Sequence, residues 1–87
     1  MPKQRHKKLP RDFGIAQRLR LSREAAGLSQ AALADAVNCS VTTIHFVETS
    51  FVKDPHASLI FDCARTLRVR ADFLLGLTGD SEPYAES

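Results

Sequence analysis

Apolar residues recur along the chain at intervals of three and four, and no stretch alternates with period two for long enough to suggest a strand. Ile15, Leu19 and Ala26, with Ser22 between them, fall on one face of a first helix over 12–26. Gly27 ends it by supplying a left-handed C-terminal residue. Ser29 is placed to cap a second helix over 29–36, whose inner face is Leu33, Ala34 and Val37. Asn38, the non-glycine residue most tolerant of positive φ, stops that helix. Only two residues later Ser40 can cap a third helix over 41–48, with Ile44 and Val47 pointing inward and Cys39 closing the corner. The segment "TSFVKDP" reads as a loop ended by proline. A fourth helix over 56–67 presents Leu59, Ile60, Cys63, Ala64 and Leu67, with Arg68 at its end; a short fifth over 71–76 carries Phe73, Leu74 and Leu75 and ends at Gly76. The expected fold is all-α, a compact bundle of about five short helices.

Length and charge narrow the picture. The 87 residues make one small domain, and a hydrophobic share of 44% supports a real core. No apolar run approaches the ~18 residues of a membrane span. The start "MPKQRHKKLP" is basic without an apolar segment behind it, unlike a signal peptide, so a cytoplasmic protein is expected. Cys39 and Cys63 lie inside helical apolar patterns and read as small buried hydrophobes; neither CxxC nor HxxxH spacing supports a metal site. Net charge is +2, unevenly placed. Residues 1–11 carry Lys3, Arg5, Lys7, Lys8 and Arg11 and no acid; residues 79–87 carry Asp80, Glu82 and Glu86 and no base; charges between them cancel. This divides the chain into a flexible basic arm (1–11), a helical domain (12–78) and an acidic, disordered tail (79–87). A basic arm is either a solvated run or a device for binding nucleic acid, where each phosphate neutralised releases counterions.

The tight corner carries the functional information. Two short helices joined by a turn of three or four residues form a helix-turn-helix. Such a corner needs a positive-φ residue, a small residue where the helices cross, and apolar residues to hold the crossing. Asn38, then Ala34, then Leu33, Val37, Cys39, Ile44 and Val47 meet those needs in turn. The stretch "IAQRLRLSREAAGLSQAALADAVNCSVTTIHFVE", with "GLSQ..LA" as its most specific part, resembles the helix-turn-helix of lambdoid phage repressors and Cro, the XRE-type family. "LIFDCARTLRVRADFLLGL" resembles that family's fourth and fifth helices, so the likeness spans about residues 13–77. Two departures stand out: Asn38 where the family mostly has glycine, and "ETSFVKDP", longer than the usual loop and without its glycine.

The resemblance implies that the third helix enters the major groove of double-stranded DNA. Its outward positions are Ser40, Val41, Thr42, His45, Phe46 and Thr49. They are short hydroxyl, methyl and imidazole groups, which suit base edges better than water. Val41, Thr42 and His45 are the expected base readers. Phe46 either joins them at the groove wall or packs on the protein itself or on a partner. Gln30 opens the second helix, where free N–H groups attract a phosphate, and the resemblance makes it a backbone clamp. Further phosphate contacts are expected from Lys53, Arg18 or Arg20, and from Ser40 and Thr43, whose alternative roles are capping and filling. The family pairs an arginine of the first helix with a glutamate ending the third. Arg23 and Glu48 occupy those positions, and the resemblance implies a structural salt bridge. Lys3, Arg5, Lys7 and Lys8 would act in an arm laid along DNA.

One such domain reads about four to six base pairs, so a homodimer on a pseudo-palindrome is expected. Phe73, Leu74, Leu75 and Leu77 are candidates for its apolar contact, unless they only seal the core; Phe51 and Val52 could add to it or dock another protein. No glycine-rich phosphate loop, metal-ligand cluster or nucleophile–base pair suggests an enzyme, and no cofactor is implied. The sequence thus reads as a transcriptional regulator. The competing reading is a protein-binding module, such as an antitoxin or anti-repressor, using Phe46, Phe51, Val52 and the acidic tail.

Overall fold

The computed structural model describes residues 14–76, which form five helices in chain order: α1 (Ile15–Ala25), α2 (Gln30–Ala36), α3 (Val41–Glu48), α4 (Ala57–Leu67) and α5 (Ala71–Leu74). No strand occurs among the described residues. The basic arm, Leu77 and the acidic tail lie outside them. The start expected for α1 at residue 12 also lies outside, and within the described part the helix begins at Ile15. The fifth helix is shorter than the apolar pattern suggested: it ends at Leu74, and Leu75 and Gly76 form a turn, with Gly76 at φ 84°.

α2 and α3 start where serine oxygens satisfy otherwise free N–H groups. Ser29 Oγ accepts from the Ala32 amide at 3.0 Å, and Ser40 Oγ accepts from the Thr43 amide at 3.1 Å. The ends of α1, α2, α3 and α4 share one device. α1 closes with the Leu28 amide on the Arg23 carbonyl (3.1 Å) and the Gly27 amide on that of Glu24 (3.0 Å). The same two bonds recur from Cys39 to Ala34 and Asn38 to Asp35, from Phe51 to Phe46 and Ser50 to Val47, and from Val69 to Ala64 and Arg68 to Arg65. Each is a Schellman motif around a left-handed residue, with φ of 77° at Gly27, 63° at Asn38, 65° at Ser50 and 59° at Arg68. The residue after each is apolar. Leu28, Cys39 and Val69 turn toward the core, whereas Phe51 stays 73% exposed.

One core lies between the helices. Leu19 of α1, Leu33 and Ala34 of α2, Ile44 and Val47 of α3, and Ile60, Cys63, Ala64 and Leu67 of α4 are all buried in it, with Val69, Phe73 and Leu74 sealing one end. Ala34 is the small residue at the α2–α3 crossing, and half-buried Cys39 packs at the corner. Both cysteines are free thiols. Burial holds the Cys63 thiol pKa up to about 12 and also raises that of Cys39.

Candidate nucleic-acid interface

α3 has a fixed back and an open front. Ile44 and Val47 are fully enclosed, and Glu48, the helix's one carboxyl side chain, is turned inward and buried. Glu48 ties three helices together. Arg23 of α1 donates to both its oxygens, Nε to Oε2 at 2.6 Å and Nη2 to Oε1 at 2.9 Å, while Gln30 of α2 donates its amide to Oε1 at 3.0 Å. Arg23 also donates to the Leu28 carbonyl at 2.8 Å, so it grips the α1–α2 turn as well. The hydrogen bond that Arg23 donates to Glu48 holds its guanidinium pKa above its ordinary value, against the opposing effect of burial. This bidentate pair fixes the axial position of α3. Nothing in the sequence alone announced that Gln30 joins it, because an exposed-looking glutamine carries no signal of its partner.

The open front contains Val41, 45% exposed, together with exposed Thr42, His45 and Thr49. None carries a fixed charge. Ser40 and Thr43 face each other at the helix start, their hydroxyls 2.9 Å apart, while Ser40 also caps the helix. Thr49 donates to the His45 carbonyl at 2.9 Å. Phe46 lies at the flank, half-buried, with its ring 4.7 Å from that of Phe51 and 6.1 Å from the His45 imidazole. Its first neighbour is therefore the protein's own loop. Lys53 is exposed on the same loop and borders a hollow with Gly14, Ile15, Gln17 and Val52.

Two expectations require correction. Arg18 is not a surface cation. It is completely buried, its Nη1 donates to the Phe73 carbonyl at 3.0 Å, and its guanidinium lies 4.8 Å from the centre of the Phe73 ring. Desolvation lowers its pKa from the usual arginine value. A phosphate has no route to it. Arg20, two residues on, does face outward, 3.6 Å from Glu24. Second, Phe73 and Leu74 form no surface patch: they are 1% and 0% exposed, because the four-residue α5 lays them directly into the core. Of the proposed apolar contact only Leu75 is exposed, and Leu77 lies outside the described residues. The exposed aromatic on this side is Phe61 of α4, which periodicity did not single out.

Comparison with known proteins agrees with this geometry. Residues 15–75 match the family model described as a helix-turn-helix domain. No curated protein matches the sequence. Among solved structures, the chain resembles the P22 c2 repressor in complex with a synthetic operator, at 26% identity and a TM-score of 0.69, over 75% of this chain and 97% of that one. It resembles the restriction-modification controller protein C.AhdI from Aeromonas hydrophila at 30% identity and a TM-score of 0.66, over 70% and 91% of the two chains. The N-terminal DNA-binding domain of SinR from Bacillus subtilis shares the fold at 22% identity and a TM-score of 0.67, over 69% and 87%. With the corner at Asn38, the Arg23–Glu48 clamp and the family match in agreement, this chain belongs to the helix-turn-helix family and has the fold of the lambda-type repressor domains.

Proposed function

We propose that the protein is a sequence-specific regulator of transcription that binds double-stranded DNA as a dimer, with α3 in the major groove. The observation that carries this reading is the contrast between the two sides of α3. Its back is bolted to α1 and α2 through Glu48, while its front presents Val41, Thr42 and His45 to solvent without a charged group. A side meant only for water gains nothing from being uncharged. A side meant for base edges needs short hydrogen-bonding groups and methyls. Thr42 offers a hydroxyl or a methyl, Val41 a thymine-methyl contact, and His45 a donor or acceptor one turn on. Gln30 places one amide N–H on Glu48; the second is the one offered to a phosphate, which couples backbone contact to the orientation of α3. Lys53 and the arm residues Lys3, Arg5, Lys7 and Lys8 supply further phosphate contacts. The C.AhdI and P22 c2 relatives are named as a controller protein and a repressor, which supports reading this chain as a regulator.

Selection from random duplexes with the purified protein, followed by sequencing, tests the reading. A two-fold symmetric site with half-sites about 34 Å apart is expected. Thr42→Ala is expected to relax preference at one position per half-site, at a cost of about 1–3 kcal/mol for the preferred base. A uniform loss across all sequences would instead put Thr42 on the backbone. A second reading, docking of another protein, draws on Phe51, whose ring lies exposed over Phe46; failure to enrich any duplex would favour it.

A further inference from the structure

The turn after α3 leaves an aromatic ring in solvent where its counterparts feed the core. Leu28, Cys39 and Val69 follow the other three Schellman turns and pack inward. Phe51 follows the fourth and is exposed, with Val52 exposed beside it. We infer that Phe46 and Phe51 together form an apolar shelf that reads the C5-methyl group of a thymine in the half-site, which makes Phe51 a specificity-determining residue outside α3. The inference rests on the DNA-binding reading above and deepens it.

The exposed ring is held in place. The Phe46 carbonyl accepts from the Phe51 amide at 2.9 Å and from the Val52 amide at 3.1 Å, and the Thr49 hydroxyl reaches it at 3.4 Å. These bonds fold the loop back on the last turn of α3. The two rings then pack with centroids 4.7 Å apart, tilted by 44°. Ordering a ring costs side-chain entropy, and leaving it in water forgoes the gain from burial. Phe46 covers only part of the Phe51 ring, so the bare part waits for an apolar contact.

Position identifies that contact. At 3.6 residues per turn, Val41 and Phe46 stand about 140° apart around α3, with His45, Thr49 and Thr42 at angles between them. Along the axis the same two residues are separated by about 7.5 Å of rise, less than the ~12 Å width of the major groove. The front of α3 is thus hydroxyl and imidazole in its middle and apolar at both flanks. A duplex seated on Val41, Thr42 and His45 extends over Phe46, and Phe51 lies against Phe46. Charge agrees. Between His45 and His56 the exposed fixed charges are those of Lys53 and Asp54, which are adjacent and opposite, while Glu48 is buried. The shelf itself carries no charge and no hydrogen-bonding group. The thymine methyl is the apolar feature that a base edge presents in the major groove, so it is the feature such a surface can tell from the other bases.

The test pairs a base analogue with a variant. Each thymine of the selected half-site is replaced in turn by deoxyuridine, which lacks only the C5-methyl, and every duplex is titrated with the full-length wild-type protein and with Phe51→Ser. One replacement is expected to weaken wild-type binding about three- to tenfold. In Phe51→Ser that same replacement should cost less than about twofold, whereas deoxyuridine at other positions should affect both proteins alike. Phe51→Leu, which keeps an apolar side chain, should retain part of the sensitivity. Circular dichroism and melting of Phe51→Ser should match the wild type, because the ring is exposed; should that variant fail to fold, Phe51→Gln reads the same contact. Equal sensitivity to deoxyuridine in both proteins at every position overturns the inference. It does so whether Phe51→Ser leaves affinity unchanged, the result expected if the shelf docks another protein, or lowers it for all duplexes alike, the result expected of a contact with the sugar. A wild-type protein insensitive to deoxyuridine throughout overturns it too. If no duplex is enriched, the DNA-binding reading falls and the shelf assignment with it; enrichment without coupling between Phe51 and a methyl removes the shelf assignment alone.

Discussion

Arg18 and Arg20 are two residues apart in α1, yet one is fully enclosed and the other is exposed. Pattern alone cannot separate them, since an arginine at either position is compatible with a solvated face. What decides is Phe73, distant in sequence, whose carbonyl and ring take the Arg18 guanidinium. Arg18→Ala is therefore expected to destabilise the fold by about 2–4 kcal/mol in urea unfolding, by leaving a cavity and an unpaired carbonyl. The DNA affinity of the protein that remains folded should change less than twofold, and its salt dependence not at all. A shallower salt slope would return Arg18 to the phosphate contacts. Cys63 is the opposite case, legible as buried from its place among Ile60, Ala64 and Leu67. Its thiol pKa is raised from 9.0 to about 12 in the folded state, so the folded form keeps the proton longer. Its contribution is complete below about pH 9 and is lost as pH rises toward 12, at up to ~1.4 kcal/mol per pH unit. Unfolding free energies measured between pH 8 and 11 should fall less steeply for Cys63→Ala than for wild type. Equal slopes would mean that the thiol ionises in place.

Helix existence and type were readable from spacing of three and four, and the caps at Ser29 and Ser40 were readable from residue type. Helix ends were only half readable. Gly27 and Asn38 advertise positive φ, whereas Ser50 and Arg68 do not, though all four sit in the same motif. At those two positions tertiary packing imposes a conformation that the residue does not favour: Val69 must reach the core after α4, and Phe51 must fold back over Phe46 after α3. The left-handed region strains a residue with a Cβ, and glycine removes that strain while losing more entropy on folding. Ser50→Gly is thus expected to stabilise the protein by about 0.5–1 kcal/mol, seen as a rise in melting temperature of a few degrees. The preferred DNA sequence should not change, because α3 keeps its anchors at Ile44, Val47 and Glu48. Destabilisation would show that the Ser50 side chain makes a contact worth more than the strain. The same limit on local signals explains the fifth helix: four residues make little more than one turn, too short for periodicity to tell Phe73 and Leu74, inside, from Leu75, outside.

At the scale of the molecule, charge is segregated where local structure is neutral. The front of α3 carries no lysine, arginine or carboxylate, and on α4 and α5 Arg65 pairs with Asp62 and Arg70 with Asp72, so neither region supplies a block of positive charge to a polyanion. On the DNA-binding proposal, long-range attraction is assigned to residues 1–11, which hold the chain's excess of base. Sequence preference and electrostatic affinity are then carried by different parts of one chain, and they should be separable. Each phosphate neutralised on duplex DNA contributes about 0.9 to the slope of log affinity against log salt. Removing residues 1–8 takes away Lys3, Arg5, Lys7 and Lys8. Binding to the selected duplex is expected to weaken at low salt, and the slope to become shallower by about 2 to 4. The order of preference among duplexes should be kept, because Val41, Thr42 and His45 are untouched. An unchanged slope would mean that the arm makes no phosphate contact. A changed order of preference would mean that the arm reads bases, so that part of the specificity assigned to α3 belongs to residues that precede the fold.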